Sequence, residues 1–143
     1  MKIIFDYNRT IFDPETDDLY QGVFELISDL SKKYELYLVS ANEPRRKEKI
    51  KDLNIDSFFK GIFFVENKSL EVFKMIADIG EEVLVVGDNI YSEISTGNKM
   101  HFITVLIKQG KFSNLLPRKK EEKPKHTINN IRELKEILKG YEK

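Results

Sequence analysis

The stretch Lys2-Ile3-Ile4-Phe5-Asp6-Tyr7-Asn8-Arg9-Thr10 begins as a short apolar run and ends that run in an aspartate. A distant stretch repeats the arrangement: Val83-Leu84-Val85-Val86 leads into Gly87-Asp88. Apolar runs this short, with no polar alternation, are the pattern of strands buried on both faces, and such strands belong to parallel sheets. A carboxylate at the carboxyl end of such a strand lies where open α/β sheets place their ligands. These two stretches therefore set both the expected fold and the place to look for chemistry.

Working outward, strand-like and helix-like segments alternate. Strands are expected at residues 2–6, 36–40, 62–65, 82–87 and 103–107, and helices at 20–33, 44–53, 69–79 and 91–99. In the first helix Val23, Phe24, Ile27 and Leu30 share one face at helical spacing. Thr127 and Ile128 add a short edge strand, and Asn129 or Asn130 caps a last helix that turns Ile131, Leu134, Ile137 and Leu138 inward. The segment 108–125, with Pro117, Pro124 and alternating charges, reads as a solvated surface loop. This βαβα alternation predicts an α/β fold, a doubly wound parallel sheet of about five strands with helices on both faces.

The chain has 143 residues, the size of one domain, and no repeat or linker divides residues 1–143. Hydrophobic residues make up 41%, enough for a substantial core. The 24 basic and 24 acidic side chains cancel, so no overall field draws nucleic acid or an anionic membrane. The absence of cysteine excludes disulfides, thiolate metal sites and cysteine nucleophiles. Of the two histidines, His101 is expected to be structural, as His tolerates positive φ better than most residues, and His126 is expected at the surface. No apolar stretch approaches the roughly 18–20 residues that span a bilayer. The start runs directly into a strand without a signal-peptide pattern, so a cytoplasmic location is expected.

If the sheet reverses its winding between the first and fourth strands, Asp6 and Asp88 become neighbours across the switch point. Glu93 lies a little more than one helical turn past Asp88 and reaches the same crevice. Three converging carboxylates repel and raise one another's pKa unless a cation joins them. An oxygen-only set with open positions favours Mg²⁺, which keeps waters and binds one or two carboxylates together with phosphate.

With these residues in place, the chain resembles the haloacid dehalogenase superfamily of phosphatases and phosphotransferases. That family's first motif, Asp-x-Asp-x-Thr after an apolar strand, reads Asp6-Tyr7-Asn8-Arg9-Thr10 here. Its Ser or Thr closing the next strand is matched by Ser40 after Tyr37-Leu38-Val39. Its helix-opening Lys is matched by Lys68, and its Gly-Asp followed by a further acid is matched by Gly87-Asp88 and Glu93. The likeness runs on through Gly97 and Thr104-Val105 to the terminal helix. It implies a Rossmann-like sheet in the order 3-2-1-4-5. It also implies that Asp6 is the nucleophile, forming an aspartyl-phosphate, and a metal ligand. Asn8 would offer its backbone carbonyl to the metal, Asp88 a carboxylate, and Glu93 support to the metal shell. Ser40 would donate to a phosphoryl oxygen, and Lys68 would neutralise charge on Asp6 and the transferring group. Phosphoryl transfer asks mainly for such positioning and charge neutralisation.

Asn8 is the departure. In the family pattern the residue there is an Asp that protonates the leaving oxygen and later activates water. Asn has nearly the same shape and cannot exchange a proton at neutral pH. General acid–base help is worth roughly 10²–10⁴-fold, so alkyl phosphates would be slow and acyl or aryl phosphates less affected. Two readings stay open: a Mg²⁺-dependent phosphatase that is slow or restricted to activated leaving groups, and a catalytically inactive relative that binds metal, phosphate or a protein partner. Phosphonate or carbon–halogen cleavage, found in relatives that differ at this position, ranks below both. About 25 residues separate Thr10 from the second strand and about 28 separate Ser40 from Lys68, so neither gap holds a cap domain. The expected partner is a small phosphorylated substrate, with oligomerisation as another way to cover the open site. The acidic segment Asp13–Asp18 should hang near the entrance and disfavour polyanions such as nucleic acid.

Overall fold

The computed structural model describes residues 1–67 and 70–142. Its sheet contains β1 (Lys2–Asp6), β4 (Glu35–Ala41), β5 (Gly61–Val65), β6 (Val83–Gly87), β7 (Ile103–Ile107) and β8 (His126–Ile128), hydrogen-bonded in the order β5-β4-β1-β6-β7-β8. Every pairing in it is parallel. Counted within the sheet this is 3-2-1-4-5-6: the expected order, with the short strand at Thr127–Ile128 added at the edge. Helices α1 (Val23–Ser31), α2 (Arg46–Asp52) and α5 (Leu134–Lys139) supply one face. Helices α3 (Leu70–Ile76) and α4 (Ser95–Lys99) supply the other.

The alternation of side chains along the strands divides the core in two. Ile3 and Phe5 of β1 pack with Leu26, Ile27 and Leu30 of α1, Ile50 of α2 and Leu134 of α5. Ile4, between them in sequence, packs on the opposite face with Val72, Phe73 and Ile76 of α3 and with Met100. Strands β1 and β6 are buried along nearly their whole length, as their unbroken apolar runs require. The acidic segment after β1 has regular structure. It forms a small antiparallel hairpin, β2 (Phe12–Asp13) with β3 (Asp18–Leu19). Among the described residues the β1–β4 connection holds this hairpin and α1, and no further domain is inserted there. No helix among the described residues is long and apolar enough to cross a membrane.

The turn after β6 also departs from the expected plain helix. Residues Ile90–Ile94 form a π-helical turn before α4 begins. Asn89 opens it by accepting the Tyr91 N–H on its side-chain oxygen. Wide turns of this kind recur at functional sites because they re-aim one side chain; here that side chain is Glu93.

Candidate active site

The parallel register sets the site. Asp6 closes β1 opposite Val39 of β4, and Phe5 lies opposite Val86 of β6. The carboxyl ends of β4, β1 and β6 therefore bring Ser40, Asp6 and Asp88 to one edge, with Asp6 in the middle. Asp6 and Asp88 line a cavity of about 90 Å³ together with Asn8, Arg9, Arg46 and Phe112, and Ser40 is tied to it through Arg46.

On the β6 side, Asp6, Asp88 and Glu93 are each at least 95% buried, and one oxygen from each lies within 4.8 Å of the others. The π-helical turn folds Glu93 back over the strand end, where its Oε1 accepts the N–H groups of Asp88 and Asn89, both at 3.0 Å. This return requires Gly87, because a Cβ there would sit 2.1 Å from Cγ of Glu93. Thr10 donates its hydroxyl to Oδ2 of Asp6 at 3.2 Å. Burial first, and then the charges of Asp6 and Glu93, push the Asp88 carboxyl up to about 8. A compact all-oxygen donor set of this kind fits a hard divalent cation.

The structure adds a residue that the motif pattern did not mark. Nε of Arg9 donates to Oδ2 of Asp88 at 2.8 Å. Arg9 sits at φ 59°, a left-handed conformation that costs a non-glycine residue energy. Its carbonyl and that of Thr10 both accept from Nε2 of Gln109. Its guanidinium lies 4.7 Å from the ring centroid of Phe112, and its side chain fills the space beside Gly110. The segment after β7 is thus a wall of the site at Gln109–Phe112, and the expectation of a purely solvated loop over 108–125 is corrected. Further along, Glu122 is buried and holds Arg118 through both carboxylate oxygens.

On the β4 side, Ser40 is fully buried and donates to the Ala41 carbonyl at 3.1 Å. Its oxygen accepts from Nη1 of Arg46, and the Arg46 guanidinium stacks 4.6 Å from the Tyr7 ring centroid. Tyr7 stacks in turn on Phe12 at 4.8 Å. Burial lifts the Tyr7 phenol to about 12, and its hydroxyl has no hydrogen-bond partner among the described residues. Asn8 is half-buried and pairs with Phe12 in a one-residue bridge. Lys68 lies outside the described residues. Of the acidic segment, Asp17 pairs with Lys49 of α2 at 3.0 Å in the neighbouring groove, and none of residues 13–18 lines the cavity itself. His101 takes φ 60°, as its residue type allowed. His126 is half-buried rather than at the surface: its Nε2 hydrogen-bonds the Tyr141 hydroxyl at 2.7 Å.

A family model for HAD-hydrolase-like proteins matches residues 68–134. YfnB of Bacillus subtilis, named as a HAD-hydrolase, is 28% identical over 135 residues, covering 87% of this chain and 56% of its own. Its magnesium-bound crystal structure superposes with a TM-score of 0.69 at 27% identity, over 84% of this chain and 56% of that one. The glyceraldehyde 3-phosphate phosphatase of Methanopyrus kandleri is 28% identical over 100 residues, covering 64% of this chain and 43% of its own. The chain thus spans about half the length of these curated relatives. A solved protein from Listeria monocytogenes shares the fold at nearly the same length, with a TM-score of 0.79, 15% identity and 96% coverage of both chains.

Proposed function

Because the chain belongs to the haloacid dehalogenase-like superfamily, we propose that it is a phosphatase that hydrolyses small phosphate compounds through an aspartyl-phosphate on Asp6. The observation that carries this reading is the buried trio of Asp6, Asp88 and Glu93 at the sheet's switch point, with Ser40 across from it. A carboxylate oxygen of Asp6 attacks phosphorus, and the bond from phosphorus to the leaving oxygen breaks with its electron pair on that oxygen. Water then displaces the phosphoryl group from Asp6 as inorganic phosphate and regenerates the carboxylate. The Thr10 hydroxyl holds Oδ2 of Asp6 and so fixes the rotation of the nucleophile. Mg²⁺, held by Asp6, Asp88, Glu93 and the Asn8 backbone carbonyl, would supply charge neutralisation on the phosphoryl oxygens.

Asn8 donates hydrogen bonds but no proton, so the leaving group must depart as an anion that is stable without help. This restricts the substrates to acyl and aryl phosphates, whose leaving oxygens are weakly basic. A second reading, a metal- and phosphate-binding protein without turnover, draws on two observations: Asn8 itself, and the Arg9 guanidinium resting on Asp88. The test is Mg²⁺-dependent hydrolysis of acetyl phosphate and 4-nitrophenyl phosphate. We expect turnover that is lost in Asp6→Asn. Absence of turnover with both compounds, alongside Mg²⁺ binding measured calorimetrically, would favour the second reading.

A further inference from the structure

Arg46 is not accounted for by the metal cluster or by the motif residues. It is half-buried at the start of α2, it lines the cavity with Asp6, and no carboxylate among the described residues lies within ion-pair distance of it. Its neighbour Arg45 is exposed and pairs with Glu48, and Arg9 pairs with Asp88. A guanidinium taken partly out of water without a counter-ion, facing a polar cavity, is built to meet an anion that arrives from outside. We infer that Arg46 is a phosphoryl-binding residue that, with Ser40, holds the oxyanion on the side of Asp6 away from the carboxylates. The inference rests on the phosphatase reading above and adds a residue and a charge to it.

Three features support it. First, the sheet order β4-β1-β6 places Asp6 between the two groups. A phosphoryl group on Asp6 therefore presents one edge to the carboxylate side and another to Ser40 and Arg46. Second, Arg46 is pre-oriented. Its guanidinium rests on the Tyr7 ring, and the nearly parallel Tyr7–Phe12 stack, 12° between planes, backs it as a rigid platform. Order established before the ligand arrives is not charged against its affinity. Third, the hydrogen bonds already have the required polarity. Ser40 accepts from Arg46 and donates to the Ala41 carbonyl. Rotating that hydroxyl hydrogen toward an incoming oxyanion keeps the Arg46 bond and adds a donor. The remaining guanidinium N–H groups form the planar fork that suits two phosphate oxygens at once. The cavity's 90 Å³ leaves room for a small polar guest.

The test is calorimetric titration with inorganic phosphate, in Mg²⁺, of the wild type, Arg46→Ala and Arg46→Lys. Mg²⁺ affinity is measured separately without phosphate. Loss of a charge-assisted pair should weaken phosphate binding by about 10- to 100-fold in Arg46→Ala. Arg46→Lys, which keeps the charge and loses the fork, should recover part of this. Mg²⁺ affinity should stay at the wild-type value, which a collapsed site would not allow. Unchanged phosphate affinity in Arg46→Ala overturns the inference; where the alanine variant fails to fold, Arg46→Gln, which keeps the stem and loses the charge, answers the question by the same readout. Wild-type turnover of acetyl phosphate with phosphate affinity indifferent to Arg46 would remove this inference and leave the phosphatase reading standing. Phosphate binding that depends on Arg46 without any turnover would do the reverse. A wild type that neither binds phosphate nor turns over acetyl phosphate removes both.

Discussion

On the β6 side of Asp6 the chain gathers carboxylates; on the β4 side it gathers a hydroxyl and a guanidinium. The two sides also differ in how they are held. Glu93 is fixed by the backbone N–H groups of Asp88 and Asn89, through the π-helical turn and the space above Gly87. Ser40 and Arg46 are fixed by packing across the chain, on Tyr7 and the Phe12 hairpin. One side is a local motif and the other is a tertiary construction. On the proposed reading this difference suits a phosphoryl group: a cation would answer the acidic side, an oxyanion the basic side, and Asp6 lies between.

Asn8 sits at the seam, and changing it tests the contrast most severely. Asn8→Asp supplies a titratable carboxyl of nearly the same shape beside Asp6, the proposed nucleophile. With alkyl phosphates as substrates we expect kcat to rise by about 10²–10⁴-fold, while acetyl phosphate gains far less because its leaving group needs no proton. A steady-state comparison of the two substrates reads the effect directly. An equal, small change for both would mean that the basic side already stabilises the leaving oxygen through charge, making a proton redundant.

The acidic side was legible in the sequence because each of its residues follows a recognisable signal. Asp6 and Asp88 end unbroken apolar runs, Gly87 precedes Asp88, and Glu93 follows at short range. The basic side was legible only at Ser40. Arg46 stands in the run Pro44-Arg45-Arg46-Lys47-Glu48-Lys49, which reads as a solvated helix face. Nothing local distinguishes it from Arg45, yet Arg45 takes the left-handed cap position and points to Glu48 while Arg46 turns inward. That choice is made by Tyr7, a buried aromatic 39 positions away in sequence. Phe112 was hidden for the same reason, since its role depends on a contact with Arg9 that spans the sheet. The one signal available was the pairing of Gly110 with the loop's single aromatic. The sheet itself needed no such long-range information, as burial on both faces leaves its mark along nearly the whole of β1 and β6.

Arg9 blurs the contrast by placing a cation on the acidic side, and removing its charge should restore it. Arg9→Met keeps an unbranched apolar stem beside Gly110 and Phe112. A unit charge at such a half-buried position is worth a few kcal/mol at an effective dielectric near 20, reduced by solvent screening. We therefore expect Mg²⁺ to bind about 10-fold more tightly in Arg9→Met, read by calorimetry without substrate. Weaker binding would reverse the assignment: Arg9 would then be the group that orients Asp88 for the cation rather than one that competes with it.

A further expected effect concerns protons on the acidic side. Asp88 has a carboxyl value of about 8 in the folded chain against 3.8 ordinarily, first because it is buried and then because Asp6 and Glu93 repel its charge. Between those values the folded state holds a proton that the unfolded state releases. Stability from this group is therefore complete below pH 4 and is lost as pH rises toward 8, with a limiting slope of about 1.4 kcal/mol per pH unit. The slope should appear as a melting temperature, in chelator, that falls by several degrees between pH 5 and pH 8. Asp88→Asn, uncharged throughout, should flatten it. Saturating Mg²⁺ should flatten it from the other direction, because a divalent cation favours the carboxylate that burial opposes. A wild-type profile already flat in chelator would mean that Arg9 alone keeps Asp88 ionised, and the acidic side would then carry its own counter-ion at every pH.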